Sequence, residues 1–171
     1  MEYVVLVDEM DNEIGTMEKM EAHRKGALHR AFSVLVFNSN GQMLIQKRAT
    51  SKYHSPGLWT NACCSHPRPN ESILEAGRRR LREEMGIDAH PEFVYKFTYK
   101  TIFSENLIEH EVDHVLLVTF DGVPSANPDE ASDSKFVRVD ELRRDAVNNP
   151  ALYTTWFQII LSQWHPGFPT S

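Results

Sequence analysis

A mostly apolar run at residues 31–37 places the strongest constraint on how this chain can fold. The turn-forming sequence Asn-Ser-Asn-Gly follows at 38–41, and a second strand-like segment returns at 42–46. Asn and Gly between two such segments are typical of a β-hairpin. The sequence therefore predicts a central strand with an antiparallel neighbour.

Alternating segments elsewhere predict the rest of the sheet, because alternation of apolar and polar residues is typical of half-buried strands. These segments lie at residues 2–7, 92–103, 111–120 and 135–139. A further short strand is expected directly after a hairpin turn at 8–15. Residues 106–109 are expected in or just after the turn between two of them. Loops are expected at 47–56 and 120–134.

Three segments predict helices, at 71–85, near 141–145 and over 151–164. Asn70 and Asp140 are the expected N-cap residues, because their side chains can accept hydrogen bonds from free backbone N–H groups. A glycine directly after the first segment is well placed to end that helix.

The composition is that of an ordinary globular protein. The chain has 171 residues, a formal net charge of −6 and no long apolar run. This length suits one core, so a single α/β (α+β) domain is expected over residues 1–171, with a mixed central β-sheet flanked by helices and additional N-terminal strands. The negative charge argues against a nucleic-acid surface. We expect a soluble cytoplasmic protein without a membrane partner, as a monomer or weak dimer.

The only two cysteines, Cys63 and Cys64, lie just before His66. Pro67 favours an extended backbone at the residue before it, and residues two apart on an extended chain share a face. Cys64 and His66 are therefore expected to point one way and Cys63 the other. Adjacent Cα atoms, about 3.8 Å apart, are too close for an ordinary disulfide, so free thiols are expected. A thiol near a divalent ion could act as a base or nucleophile, although a buried inert cysteine is about as common.

Three histidines and two glutamates could supply the ligands of one octahedral divalent metal site. Glu109 and Glu111 are two apart in strand-like sequence, so both can face one side. Unrelated surface histidines are an equally good interpretation, because the chain has eight of them. The candidate ligands are His23, His29, His66, Glu109 and Glu111.

The longest predicted helix is densely charged, and Arg80 and Glu84 lie one turn apart on one face. Such pairs are usually surface ion pairs, worth a few tenths of a kcal/mol. Alternatively, Glu84 holds a metal bridged to a diphosphate and Arg80 contacts that phosphate. Lys19, Arg48 and Lys52 could line the same phosphate pocket, although solvated surface charge is the more common explanation.

Together these residues resemble the type I isopentenyl-diphosphate Δ-isomerase family, a branch of the Nudix superfold. The resemblance covers nearly the whole chain. Compared with the Nudix box, Ser65 replaces a glycine and Arg80 replaces a glutamate, which favours a protein that binds a diphosphate without cleaving it. The motifs that carry the resemblance are Trp-Thr-Asn-Ala-Cys-Cys-Ser-His-Pro at 59–67, Arg-Glu-Glu-Met-Gly at 82–86, Glu-His-Glu-Val at 109–112, Asn-Pro-Asp-Glu at 127–130, and Trp156.

The resemblance implies two metal sites and a phosphate-binding set. One site, for Mn²⁺, Zn²⁺ or Mg²⁺, would use the five histidine and glutamate ligands named above. A second would hold Mg²⁺ with the substrate diphosphate, through Glu84 and the backbone carbonyl of Cys64. The phosphates would meet Lys19, Arg48, Lys52 and Arg80.

The implied reaction interconverts isopentenyl diphosphate and dimethylallyl diphosphate, a step of isoprene biosynthesis. Glu111, beside Tyr99, would supply a proton, and Cys64 would remove one from the opposite side. Trp156 would stabilise the intermediate carbocation, although Tyr99 and Trp156 taken singly are more often core residues. A Nudix hydrolase of nucleoside diphosphates is the main alternative. A structural zinc protein is less favoured, because the chain has no CxxC pair and its two cysteines are adjacent, a poor spacing for two ligands on one ion.

Overall fold

The structure is a computed structural model that describes residues 1–104 and 106–169. Positions 105, 170 and 171 of the predicted domain lie outside the described residues. The strands are β1 (Tyr3–Val7), β2 (Glu13–Glu18), β3 (His29–Phe37), β4 (Gln42–Arg48), β5 (Trp59–Asn61), β6 (Cys63–Ser65), β7 (Glu92–Ser104), β8 (Leu107–Thr119) and β9 (Ala131–Arg138). The helices are α1 (Lys19–Lys25), α2 (Ile73–Met85), α3 (Val139–Asn148) and α4 (Thr155–Ser162), with a 3₁₀ turn at Pro150–Leu152.

Strand β3 is the centre of a mixed sheet, as its apolar sequence predicts. β8 pairs with it in parallel along its whole length, so His29 lies opposite Glu111. The other edge of β3 is contacted in turn by β1, β6 and β4, all antiparallel. β7 extends the sheet beyond β8, and β9 pairs with β4. This arrangement brings the cysteine strand and the glutamate strand to opposite edges of β3.

Helices cover both faces of the sheet, which explains why β3 is apolar on both sides. α3 and α4 pack on one face, where Leu35 and Phe157 belong to one buried cluster. α2 packs on the other face, where Val34 and Leu81 belong to a second cluster. Gly77 allows the close approach of α2, because a Cβ atom there would lie 2.6 Å from Leu116 Cδ1. None of the helices in the described parts of the chain has the length and apolar character needed to cross a membrane.

The start of α2 differs from the prediction. Ser72, not Asn70, is the N-cap residue, because Ser72 and Glu75 form a reciprocal capping box. Asn70 instead adopts a left-handed conformation with φ of 65° in the preceding turn. Gly86 ends the helix in the left-handed conformation, as predicted.

The two C-terminal helices also differ from the prediction. Arg138 is the N-cap residue of α3, and Asp140 lies inside its first turn, where a negative charge complements the helix dipole. The helix predicted over 151–164 is interrupted before α4. At that break the Thr154 N–H donates to the Trp59 carbonyl at 3.1 Å, so tertiary contact fixes the chain outside a helix.

Regular structure also extends into segments predicted as loops. Glu109 lies in β8 and not in a turn, because β8 pairs with β7 from Leu107 onward. β4 continues to Arg48, and β9 begins at Ala131, since these two ends pair with each other. Helix α1 has no predicted counterpart.

Candidate active site

A cavity of about 70 Å³ brings together side chains from five strands, from three helices, and from the loops that follow β4 and β6 and precede β9. Trp156 and Phe32 are among its apolar lining residues. Eleven of the predicted site residues line this cavity: Lys19, Arg48, Lys52, Cys64, His66, Arg80, Glu84, Tyr99, Glu109, Glu111 and Trp156.

Four of the five predicted metal ligands form one cluster, which we call the histidine end: His23, His29, His66 and Glu111. One ligand atom from each lies within 4.8 Å of the others. Glu111 Oε1 is 2.9 Å from His66 Nε2 and 3.3 Å from His29 Nε2. His23 Nε2 is buried and has no hydrogen-bond partner among the described residues.

Backbone carbonyls orient two of these imidazoles. His23 Nδ1 lies 2.7 Å from the Lys19 carbonyl, and His29 Nδ1 lies 2.8 Å from the Ala27 carbonyl. Each Nδ1 therefore carries the proton and leaves the Nε2 lone pair facing the cluster. Burial lowers the pKa of His23, and lowers that of His66 to about 4, so both are neutral at pH 7. Neutral imidazoles with a carboxylate fit a divalent transition-metal ion.

Glu109 lies beside the histidine end and not within the four-residue cluster. Its Oε2 accepts a hydrogen bond from the Tyr99 hydroxyl at 2.8 Å, and Glu111 Oε2 lies 2.8 Å from the same hydroxyl. Its Oε1 is 3.1 Å from His54 Nε2. Tyr99 thus bridges the two carboxyl groups, and His54 contacts the one that the cluster leaves out.

The two bridged carboxyl groups have opposite pKa shifts. Burial alone would raise the pKa of Glu111, but its close contacts with His29 and His66 hold it well below its usual value. Burial and the charge of Glu111 raise the pKa of Glu109 well above its usual value. The two carboxyl groups on either side of Tyr99 therefore lie in different electrostatic environments, which is typical of acid–base sites.

The two cysteines face opposite sides of β6, as the alternation predicts. Cys63 is fully buried in the cluster beneath α2. Cys64 lines the cavity together with His66. Both are free thiols, as predicted. Burial raises the pKa of the Cys64 thiol, and the positive charge of Arg48 opposes that shift.

The opposite part of the cavity, which we call the cationic end, consists of Lys52, Arg80, Glu84 and Glu130. The Arg80 guanidinium lies 2.6 Å from Glu84 and 3.1 Å from Glu130. Lys52 also forms an ion pair with Glu130, and Gln46 donates to Glu84 at 2.9 Å. Burial raises the pKa of Glu84, against the effect of Arg80. Three of the four predicted phosphate-binding cations are thus already paired with carboxylates: Arg80, Lys52, and Lys19, which is 2.8 Å from Glu2.

Trp156 is fixed by contacts on several sides. Its Nε1 donates to Asn61 Oδ1 at 3.2 Å, and Thr60 preceding that asparagine bonds to Thr154 at 2.9 Å. The Arg48 guanidinium lies over the indole ring, 5.5 Å from its centroid. The indole face is therefore positioned to interact with positive charge in the cavity.

The sequence analysis assigned no role to several cavity residues. Asp113 continues the same-face pattern of Glu109 and Glu111 along β8, a signal that the sequence does contain. His54 follows Lys52 by two residues in the basic loop, yet nothing in the sequence links it to Glu109, 55 positions later. Glu130 is the last residue of the Asn-Pro-Asp-Glu motif at 127–130, which contributed to the family resemblance but was given no role.

Comparison with known proteins identifies the class. Residues 27–157 match the NUDIX domain family, and the fold is that of a NUDIX domain. A crystal structure of a Deinococcus radiodurans protein is similar with a TM-score of 0.78, at 22% identity, over 96% of this chain and 100% of that one. A MutT NUDIX hydrolase from Burkholderia pseudomallei has a TM-score of 0.64, at 20% identity, over 81% and 98%. These likenesses show the shared fold.

Curated relatives narrow the class to one family. Isopentenyl-diphosphate Delta-isomerase 2 of Aromatoleum aromaticum is 52% identical over 94% of this chain and 85% of the relative. Isopentenyl-diphosphate Delta-isomerase of Serratia proteamaculans is 48% identical over 94% and 89%. The chain belongs to the isopentenyl-diphosphate Delta-isomerases, as the sequence motifs predict.

Proposed function

We propose that this chain interconverts isopentenyl diphosphate and dimethylallyl diphosphate, and that Glu111 and Cys64 move the protons. Relatives that carry this enzyme's name are about half identical over most of the chain, which supports the reaction. The observation that carries the residue roles is the placement of Cys64 and the Tyr99–Glu111 pair in one cavity, between a histidine cluster and a set of cations.

The reaction moves a double bond from a terminal to an internal position. A proton adds to the terminal carbon, a tertiary carbocation forms, and a proton leaves carbon two. Glu111, joined through Tyr99 to a second carboxyl, is the proposed proton donor. Cys64, on β6 across β3 from Glu111, is the proposed acceptor. The face of Trp156 would stabilise the cation by about 2 kcal/mol in a desolvated site.

Divalent metals are the cofactors of NUDIX enzymes, and the histidine end fits such an ion. We assign Mn²⁺, Zn²⁺ or Mg²⁺ to this end, with Glu109 as the adjacent fifth ligand. We assign Mg²⁺, together with the substrate diphosphate, to Glu84 and the Cys64 carbonyl. Bound cations would supply the positive charge that favours a thiolate and offsets the charge of the diphosphate.

Four cations would orient the substrate through its diphosphate, which is the part that needs strong polar contacts. Ion pairs with the protein hold three of them in place before substrate binds. The four are Lys19, Arg48, Lys52 and Arg80.

The partner of this site is a small diphosphate, as the names of the relatives indicate. The net charge of −6 supports the proposal that the chain uses a local cationic pocket and no nucleic-acid surface. We also propose that all of residues 1–171 form one catalytic domain, acting in the cytoplasm without a membrane partner, as a monomer or weak dimer.

Proton NMR of isopentenyl diphosphate with protein and Mg²⁺ in D₂O tests the reaction and the role of Cys64 together. We expect dimethylallyl diphosphate containing deuterium, and about a thousandfold slower turnover for Cys64→Ala, the size of a lost acid–base group. An unchanged thermal midpoint would show that the variant is folded. Near wild-type turnover in Cys64→Ala would remove this residue from the mechanism. Rapid phosphate release from nucleoside diphosphates, without isomerisation, would favour the hydrolase.

A further inference from the structure

His54 is a buried residue of the loop between β4 and β5, and aromatic rings hold it on three sides. It is stacked on Phe103 with ring centroids 5.0 Å apart. The rings of Tyr53 and Trp156 meet it edge-on, at 4.4 and 5.8 Å. Packing of this kind fixes the plane of the imidazole, so its two nitrogens point in set directions.

Both nitrogens of His54 face polar atoms. Nε2 lies 3.1 Å from Glu109 Oε1, and Nδ1 lies 3.4 Å from Ser55 Oγ. A neutral imidazole has one donor nitrogen and one acceptor nitrogen. A serine hydroxyl can donate to Nδ1, which leaves the proton on Nε2, facing Glu109.

The Tyr99 hydroxyl gives independent evidence on the same carboxyl group. It lies 2.8 Å from both Glu109 and Glu111, yet it has a single proton. Glu109 Oε2 and Glu111 Oε2 therefore share this hydroxyl, and Glu109 Oε1 remains available for a second contact. In this arrangement Glu109 Oε1 is an acceptor, which matches a donor on His54.

The loop that carries His54 also serves the diphosphate side of the cavity. Lys52 lies two residues before His54 and pairs with Glu130 at the cationic end. Arg48 donates to the His54 carbonyl at 3.2 Å. One short loop therefore sets the positions of two predicted phosphate ligands and of the imidazole that contacts Glu109.

We propose that His54 is a positioning residue of the isomerase: its Nε2 holds Glu109 Oε1, so that Oε2 stays on Tyr99 and Tyr99 stays on Glu111. This proposal rests on the proposed function, in which Glu111 supplies the proton and Glu109 lies beside the metal. His54 acts through Glu109. Outer hydrogen-bond partners of metal-site carboxylates typically contribute about 10–100-fold to metal affinity or activity.

Three substitutions separate the polar contact from packing. In His54→Gln the side-chain amide nitrogen can reach the position of Nε2. In His54→Asn it stops near the position of Nδ1 and cannot reach Glu109. His54→Leu keeps apolar volume and has no donor. The Gln and Asn variants are the matched pair, because both are amides, and they decide the question if the leucine variant does not fold.

The readouts are kcat and KM for isopentenyl diphosphate and, separately, the dissociation constant of Zn²⁺ measured by competition with a chelator. We expect His54→Asn and His54→Leu to lose about 10–100-fold in kcat, with KM little changed, and to bind Zn²⁺ about tenfold more weakly. His54→Gln should retain most of the wild-type kcat and most of the wild-type Zn²⁺ affinity.

Equal losses in the Gln and Asn variants, or a leucine variant with wild-type kcat and Zn²⁺ affinity, would show that His54 only fills space. Failure of the wild-type protein to isomerise the substrate would refute the proposed function instead. The Zn²⁺ measurements do not depend on turnover, so they test His54 in either case.

Discussion

The two ends of the cavity bury polar groups in opposite ways. At the histidine end, three imidazoles and one carboxylate converge, and their ligand atoms lie within 4.8 Å of one another. Lone-pair donors face each other there, and His23 Nε2 has no hydrogen-bond partner among the described residues. At the cationic end, by contrast, Arg80 and Lys52 are each paired with carboxylates.

This difference predicts which ligand each end can bind alone. A divalent cation relieves the crowding of lone pairs at the histidine end, so that end needs no substrate to bind metal. At the cationic end a diphosphate must replace the carboxylates that face Arg80 and Lys52, and Glu84 must gain another positive partner. A buried charge that loses its partner is costly, so diphosphate and Mg²⁺ should enter this end together.

Glu111→Gln should have the largest effect, because it removes both a ligand of the histidine end and the proposed proton donor. We expect turnover of isopentenyl diphosphate to fall about a thousandfold or more, measured by NMR in D₂O. Glu92→Gln, an exposed substitution on the neighbouring strand β7, is the control and should keep wild-type turnover. Retention of activity by Glu111→Gln would assign the proton to another group.

Zn²⁺ or Mn²⁺ without diphosphate should stabilise the protein through the histidine end alone. At a free-metal concentration 100 times the Kd, the free energy of unfolding should rise by about 2.7 kcal/mol, measured by denaturant titration against an EDTA-treated sample. His29→Asn should abolish the gain, and Glu84→Gln should keep it. The reverse pattern would place the substrate-independent metal at the cationic end and overturn the comparison.

Arg80→Gln should affect the cationic end alone. A charge-assisted hydrogen bond is worth about 1.5–3 kcal/mol, so KM should rise about 10–100-fold, with a smaller change in kcat. Calorimetry with Mg²⁺ and inorganic diphosphate should show the same weakening. Arg78→Gln, which removes an exposed ion pair with Asp88, is the control. If Arg80→Gln also removed the stabilisation by Zn²⁺, the two ends would not be independent.

The sequence predicted most of this fold because its strand signals are local. The apolar run at 31–37 predicts a strand from its own residues, and Gly86 ends α2 because of its own backbone preference. The errors arose where tertiary contacts override local preference. Thr154 is held out of a helix by Trp59, and Glu109 is drawn into β8 by pairing with Thr101 of β7.

Two kinds of sequence signal predicted site residues: the two-residue alternation of strands and the resemblance to a family. Alternation placed Cys64 with His66 and away from Cys63, and the structure agrees. It could not show that the His54 imidazole meets Glu109, because that contact depends on how the loop after β4 folds over β8. Spacing alone also could not distinguish the histidine cluster from chance.

Cys63→Ala should have the smallest effect of these substitutions, although Cys63 is adjacent to the proposed base. Its thiol is buried among Val34 and Leu81 beneath α2, so its loss leaves a small void. We expect the free energy of unfolding to fall by about 1 kcal/mol, a typical value for a modest core substitution, with turnover within about twofold of wild type. Denaturant unfolding and NMR turnover measure the two quantities.

The same two measurements on Cys64→Ala should give the opposite result, with a large loss of turnover and little loss of stability. A loss of turnover in Cys63→Ala beyond what its stability explains would mean that β6 presents its thiols differently in the working enzyme. The division between core and cavity within β6 would then fail. Because the Cys64 carbonyl is also assigned to the Mg²⁺ site, the assignment of residues to the two ends of the cavity would then have to change.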